Sequence, residues 1–177
     1  MDHSRLDSEL AEALELFPEL DVWDDLPAAR VLRAKMTKEL QADLPPVDGV
    51  TSTDYKVPGP EGAPNVFVRV YRPVSGSSNK STNNNDALPG MLWIHGGGYV
   101  WGSVDGDDRT VRCLVEAVAC VVVSVEYRLA PEHPFPAPLD DCYAVLKWLV
   151  ANAEELGVDS SRIAIGGISA GAGLAAG

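Results

Sequence analysis

A chain of 177 residues, 46% hydrophobic and 23% charged, is long enough for one domain with a sizeable core. A formal net charge of −12 argues against nucleic acid and anionic lipid as partners, because so acidic a surface repels phosphate. No stretch approaches the ~20 apolar residues of a membrane span. Residues 1–17 carry five acidic side chains and no apolar run with basic flanks, so no membrane insertion and no secretory leader are expected and the cytoplasm is the default location.

Residues 1–45 read as helical. Leu6, Leu10, Leu14 and Phe17 recur at helical spacing, and a second helix is expected from Ala28 to about Leu44, with Val31, Met36 and Leu40 on one side and Pro45-Pro46 as its stop. These apolar faces are narrow and need something to pack on. From Val50 the texture changes to the alternation of half-buried strands, over residues 51–57 and 66–71. Residues 75–86 form a polar low-complexity loop. Within it Asn79-Lys80-Ser81 matches a glycosylation sequon, which matters only in a secreted protein.

Residues 91–94 are a short apolar run ending in a glycine cluster, residues 111–118 read as a helix, and residues 120–125 are apolar enough for a strand buried on both faces. A proline-rich turn over residues 130–138 leads into a helix expected over residues 139–155, with Leu146, Leu149 and Val150 apolar. Residues 162–165 are another short buried strand. Alternating strands and helices imply a mainly parallel sheet covered on both faces, with a boundary near residue 50. Residues 1–49 are then a helical segment and residues 50–177 an α/β body. Cys113, Cys120 and Cys142 match no zinc spacing and read as buried free thiols in a reducing compartment.

Two motifs carry chemistry. Gly167-Ile168-Ser169-Ala170-Gly171 fits Gly-x-Ser-x-Gly between an apolar strand and a run of helix-forming alanines. A serine hydroxyl is a poor nucleophile unless held exposed and given a base; a sharp strand-to-helix turn provides the exposure, and glycines at 167 and 171 leave it room. The N–H of Ala170 would then point at a developing oxyanion from a helix N-terminus. His95-Gly96-Gly97-Gly98 follows the strand at 91–94, and the unshielded N–H groups of Gly96 and Gly97 would supply the remaining oxyanion donors.

Together with residues 99–102 (YVWG) and 126–137 (EYRLAPEHPFPA), these motifs make the chain resemble the hormone-sensitive-lipase-like carboxylesterases of the α/β-hydrolase fold over about residues 55–177. The resemblance implies that Ser169 is the nucleophile, that Gly96, Gly97 and Ala170 form the oxyanion hole, and that His95 holds the glycine loop rather than acting as base. It makes residues 1–49 a cap segment over the active site and residues 127–137 a structural turn, with a small-molecule ester as substrate and no metal or organic cofactor. Tyr99 and Trp101 are candidates for the pocket wall or for core packing. Two positions depart from the family pattern: Ile168 stands where Asp is usual, and Ala172 where Gly is usual.

In this fold the acid and the histidine of the triad follow the serine, yet only eight residues follow Ser169 and none is acidic or histidine. His3, His95 and His133 all precede it. The expectation is a partial fold whose apolar strand at 162–165 is left as an edge, poorly stable and inactive as it stands. The alternatives are a non-catalytic small-molecule binding protein on the same scaffold and a truncated fragment without function. Substrate chain length and oligomeric state are not encoded in any motif.

Overall fold

The computed structural model describes residues 7, 9–11, 25–74 and 87–177. The elements run α1 (Leu26–Ala42), β1 (Val50–Val57), β2 (Val66–Pro73), β3 (Leu88–Ile94), α2 (Val104–Val118), β4 (Val121–Glu126), α3 (Ala137–Ala151), β5 (Val158–Gly167) and α4 (Ala170–Ala176). Residues 9–11 are helical; the rest of the first expected helix, the loop at 75–86 and the Asn79 sequon lie outside the described residues.

The strands form one sheet in the order β1-β2-β4-β3-β5. β1 and β2 are antiparallel to their neighbours, whereas β4, β3 and β5 run parallel. β4 is central and apolar except for the buried Ser124 and the terminal Glu126, because both of its faces are covered. One face buries Val68, Leu92, Val123 and Val125 against Val145 and Leu149 of α3. The other buries Tyr71, Trp93 and Val122 against Val111 and Val115 of α2. Ile94 pairs with Val125 on one side and Gly167 on the other, so the carboxyl ends of the three parallel strands finish level. That edge is where parallel sheets place their ligands.

Several elements differ from expectation. α2 begins at Val104, seven residues before the apolar periodicity does. Ser103 caps it by accepting the Gly106 N–H at 3.0 Å, and Asp105 and Asp107 suit the positive end of the helix. α3 ends at Ala151 rather than 155, where the Asn152 N–H turns back to the Trp148 carbonyl and the chain bends to bury Ala153 and Leu156. In α1 the buried residues are Leu26 and Ala29, while Val31 and Leu40 are 72% and 76% exposed. Val150 is also exposed. Cys120 and Cys142 are buried free thiols as expected, but Cys113 is exposed on α2.

α1 is held to the body by polar bonds. Gln41 donates to the Gly106 carbonyl at 3.2 Å, and Arg109 donates to that of Pro45. Below α1, Arg69 joins Asp54, Asp105 and Asp108, and Arg112 joins Asp108, so β1, β2 and α2 share one ion-pair network. Among the described residues β5 pairs on one side only, and Ile165 on it is 42% exposed. Among the described residues no helix is long and apolar enough to cross a membrane.

Candidate active site

The level strand ends bring the two sequence motifs together. Beyond Gly167 the chain turns sharply: the Ile168 N–H donates to the Ile94 carbonyl at 3.3 Å, and the Gly171 N–H donates to the Ile168 carbonyl at 2.9 Å. Between them Ser169 has φ 54° and ψ −116°. That region is costly for a side-chain-bearing residue, of order 1–3 kcal/mol, and persists only where the surroundings enforce it. Here the enforcement is close packing. A Cβ at Gly171 would collide with the carbonyl oxygens of Ile94 and His95, and one at Gly167 with that of Ile94. Ser169 itself is exposed, and α4 starts at the buried Ala170 immediately after it.

The glycine loop lies against this turn. A Cβ built at Gly96 would stand 2.8 Å from the Ile168 carbonyl oxygen and 3.5 Å from Ser169 Cβ. Gly97, Gly98 and Tyr99 then take positive φ values of 127°, 60° and 66°. Gly97 has no alternative, since a Cβ there would strike the Trp101 backbone. Its carbonyl accepts the N–H groups of both Val100 and Trp101 at 3.1 Å, which closes the loop on itself.

His95 is fully buried beneath the loop. Its ring stacks on Tyr127 with centroids 4.2 Å apart. Its Nδ1 lies 2.8 Å from the Gly96 carbonyl oxygen, which can only accept, so Nδ1 carries the proton. Burial lowers its pKa from the ordinary histidine value, which favours the neutral ring. The Tyr127 hydroxyl donates to the His95 carbonyl at 3.0 Å. His133 is exposed in the proline-rich turn. Among the described residues no histidine or carboxylate hydrogen-bonds to the Ser169 hydroxyl, and no group of three or more His, Cys, Asp or Glu side chains could hold a metal ion. Tyr99 reaches toward α4, its hydroxyl 2.6 Å from where a Gly173 Cβ would stand. Trp101 turns the other way, with the Arg33 guanidinium 5.0 Å from its ring centroid.

A family profile for the alpha/beta hydrolase fold matches residues 91–177. The chain is 39% identical over 148 residues to the carboxylesterase NlhH of Mycobacterium tuberculosis, covering 84% of this chain and 42% of that protein. It is 34% identical over 179 residues to an arylesterase of Saccharolobus solfataricus, covering 97% and 53%. The solved structure of a bacterial heroin esterase superposes with a TM-score of 0.80 at 44% identity, covering 97% of this chain and 51% of that one. The chain belongs to the hormone-sensitive-lipase-like carboxylesterase family of α/β-hydrolases. It spans about half the length of the curated relatives it matches.

For a member of this carboxylesterase family, the departure at Ile168 places an apolar side chain, itself exposed, next to the serine. Three further polar residues support the site. Asp141, fully buried on α3, accepts from the Arg128 guanidinium at 2.7 Å and from the Arg128 N–H at 2.9 Å, fastening the turn after β4. Glu126 accepts the Val104 N–H at 2.7 Å, which fixes the start of α2 just beyond the glycine loop. Arg30 of α1 reaches the carbonyls of Val100 and Ala130. Glu126 and Arg128 lie inside the quoted 126–137 motif. Asp141 and Arg30 carry no sequence signal, because their partners are distant along the chain or lie on the main chain.

Proposed function

We propose that this chain carries the nucleophile and the oxyanion hole of a serine hydrolase of carboxylic esters. The observation that carries the reading is the exposed Ser169, held at φ 54° against Gly96. Its Oγ attacks the ester carbonyl carbon, and the N–H groups of Gly96, Gly97 and Ala170 receive the oxygen as it becomes negative. The tetrahedral intermediate expels the alcohol and leaves an acyl-Ser169; water then attacks the acyl carbon and releases the acid. The chemistry requires a histidine to take the Ser169 proton and return it to the leaving alkoxide. His95 is committed to its own loop and does not fill this role. On this reading residues 1–49 form the cap, and the natural substrate is a small-molecule ester, as the names of the esterase relatives suggest.

The test is hydrolysis of p-nitrophenyl esters of short and medium acids by the natural protein, together with its intact mass. A mass above 18.9 kDa and turnover that falls by about 10⁴-fold or more in Ser169→Ala support the reading. Turnover that survives in Ser169→Ala overturns it. A second reading is favoured by the absence, among the described residues, of any base on the Ser169 hydroxyl. Stoichiometric binding of ester without turnover would select that binding role.

A further inference from the structure

The glycine loop holds three successive positive φ angles, and the third belongs to Tyr99, which is not a glycine. Such a backbone needs contacts that over-determine it. Its own bonds to the Gly97 carbonyl close the loop but do not fix it in space. The Ala130 N–H does, by donating to the Tyr99 carbonyl at 2.9 Å and tying the loop to the turn after β4. One side chain then spans both segments. Arg30 donates through Nε to the Val100 carbonyl at 2.7 Å and through Nη2 to the Ala130 carbonyl at 2.9 Å. Glu132 takes the remaining edge of the same guanidinium, from Nη1 at 2.7 Å and Nη2 at 2.9 Å.

We infer that Arg30 is a positioning residue, a staple from the amino-terminal helix that locks the oxyanion loop against the turn at residues 127–137. The catalytic part of this inference rests on the ester-hydrolase reading; the mechanical part does not. An ion pair alone would not need this geometry. Both partners are partly exposed, and such pairs contribute little. The planar fork matters because it meets two carbonyls and a carboxylate in fixed directions, which a lysine ammonium cannot reproduce. Val100 lies three residues beyond Gly97, so fixing its carbonyl restricts where the Gly96 and Gly97 N–H groups can point. Donors preset at the position of the developing charge are what accelerate acyl transfer. The arm thus acts on the chemistry from outside the site, since Arg30 has no contact with Ser169 among those of the described residues.

The test combines amide hydrogen exchange with ester kinetics on the natural protein and on Arg30→Ala, Arg30→Lys and Glu132→Gln. In Arg30→Ala the amides of Val100, Trp101 and Ala130 should exchange about tenfold faster, with Leu92 and Val123 in the sheet unchanged. The kcat should fall about tenfold with KM within about twofold, and guanidinium ion added to Arg30→Ala should restore part of it. Arg30→Lys should show the same pattern more weakly, and Glu132→Gln should stay near wild type. If Arg30→Ala exposes Leu92 and Val123 as well, Arg30→Lys decides by the same criteria. Unchanged loop exchange overturns the staple, and faster loop exchange with unchanged kcat overturns its catalytic role. Equal damage from Glu132→Gln reduces it to an ion pair and also overturns it. A natural protein without turnover overturns the ester-hydrolase reading instead, and the exchange data then judge the staple alone.

Discussion

Gly97 is the position where backbone and function are most tightly joined. Its φ of 127° and the Trp101 backbone beside it exclude any side chain. Gly97→Ala should therefore move the oxyanion loop and lower ester turnover by about 100-fold, measured as kcat on a p-nitrophenyl ester, while the far-UV circular dichroism stays the same. Glu126 invites a different measurement. Burial pushes its carboxyl up to about 7, with the Asp105 charge adding to the shift and the Val104 N–H and Arg69 opposing it. Below the ordinary carboxyl value of 4.5 the group is protonated both folded and unfolded and stability does not respond to it. Between 4.5 and about 7 only the unfolded chain has lost the proton, so stability falls as pH rises through that window. Glu126→Gln should remove this dependence. Urea unfolding at pH 5 and pH 8 should show the wild type losing up to about 3 kcal/mol more than the variant over that interval.

At the scale of the element, helix ends depended on side-chain chemistry more than on apolar periodicity. Residues 104–110 have no apolar spacing to mark a helix, yet α2 starts there because Ser103 caps it and carboxylates in its first two turns find partners: Asp107 accepts from the Trp93 indole at 2.8 Å and Asp108 from the Tyr71 hydroxyl at 2.9 Å. The periodicity legible in the sequence was that of the second half of the helix, where Val111 and Val115 meet the sheet. Ser103→Ala should cost about 1 kcal/mol, read as a lower urea midpoint with an unchanged slope. α1 shows the converse. Its apolar spacing suggested a buried stripe, but Val31 and Leu40 face outward and the helix is held through Arg30, Gln41 and a cation–π contact of Arg33. Polar anchoring to distant main-chain carbonyls leaves no pattern along the chain.

At the scale of the whole molecule, the sheet runs from an antiparallel edge at β1 to a parallel edge at β5. Among the described residues both outer strands pair on one side only, β1 with β2 and β5 with β3. Residues 162–165 were read as a short buried strand, and β5 instead leaves Ala164 and Ile165 exposed. The expectation of an apolar edge is met by this geometry. For the 177-residue chain, Ile165→Lys should raise the protein concentration at which light scattering first appears, with Tm unchanged within about 2 °C, because a charge on an edge strand blocks pairing with another chain. No change in the onset of scattering would mean that aggregation starts elsewhere.

The sequence by itself determined the fold class, the order of strands and helices in the body, and the two segments that meet at the candidate site. Those features rest on local chemistry: unbroken apolar runs that must be buried, glycines where the backbone needs room, and a serine between a strand and a helix. Only the tertiary structure decided that Gly96 lies against Ser169, because that depends on β3 and β5 pairing in parallel with Ile94 opposite Gly167. It alone decided that His95 is sealed under its loop with Nδ1 on its own chain, and that Cys113 faces outward while Cys142 does not. It alone brought Arg30 to carbonyls 70 and 100 residues away. The physical reason is common to all of these: they follow from how the packed elements lie against one another, and no window of neighbouring residues contains that information.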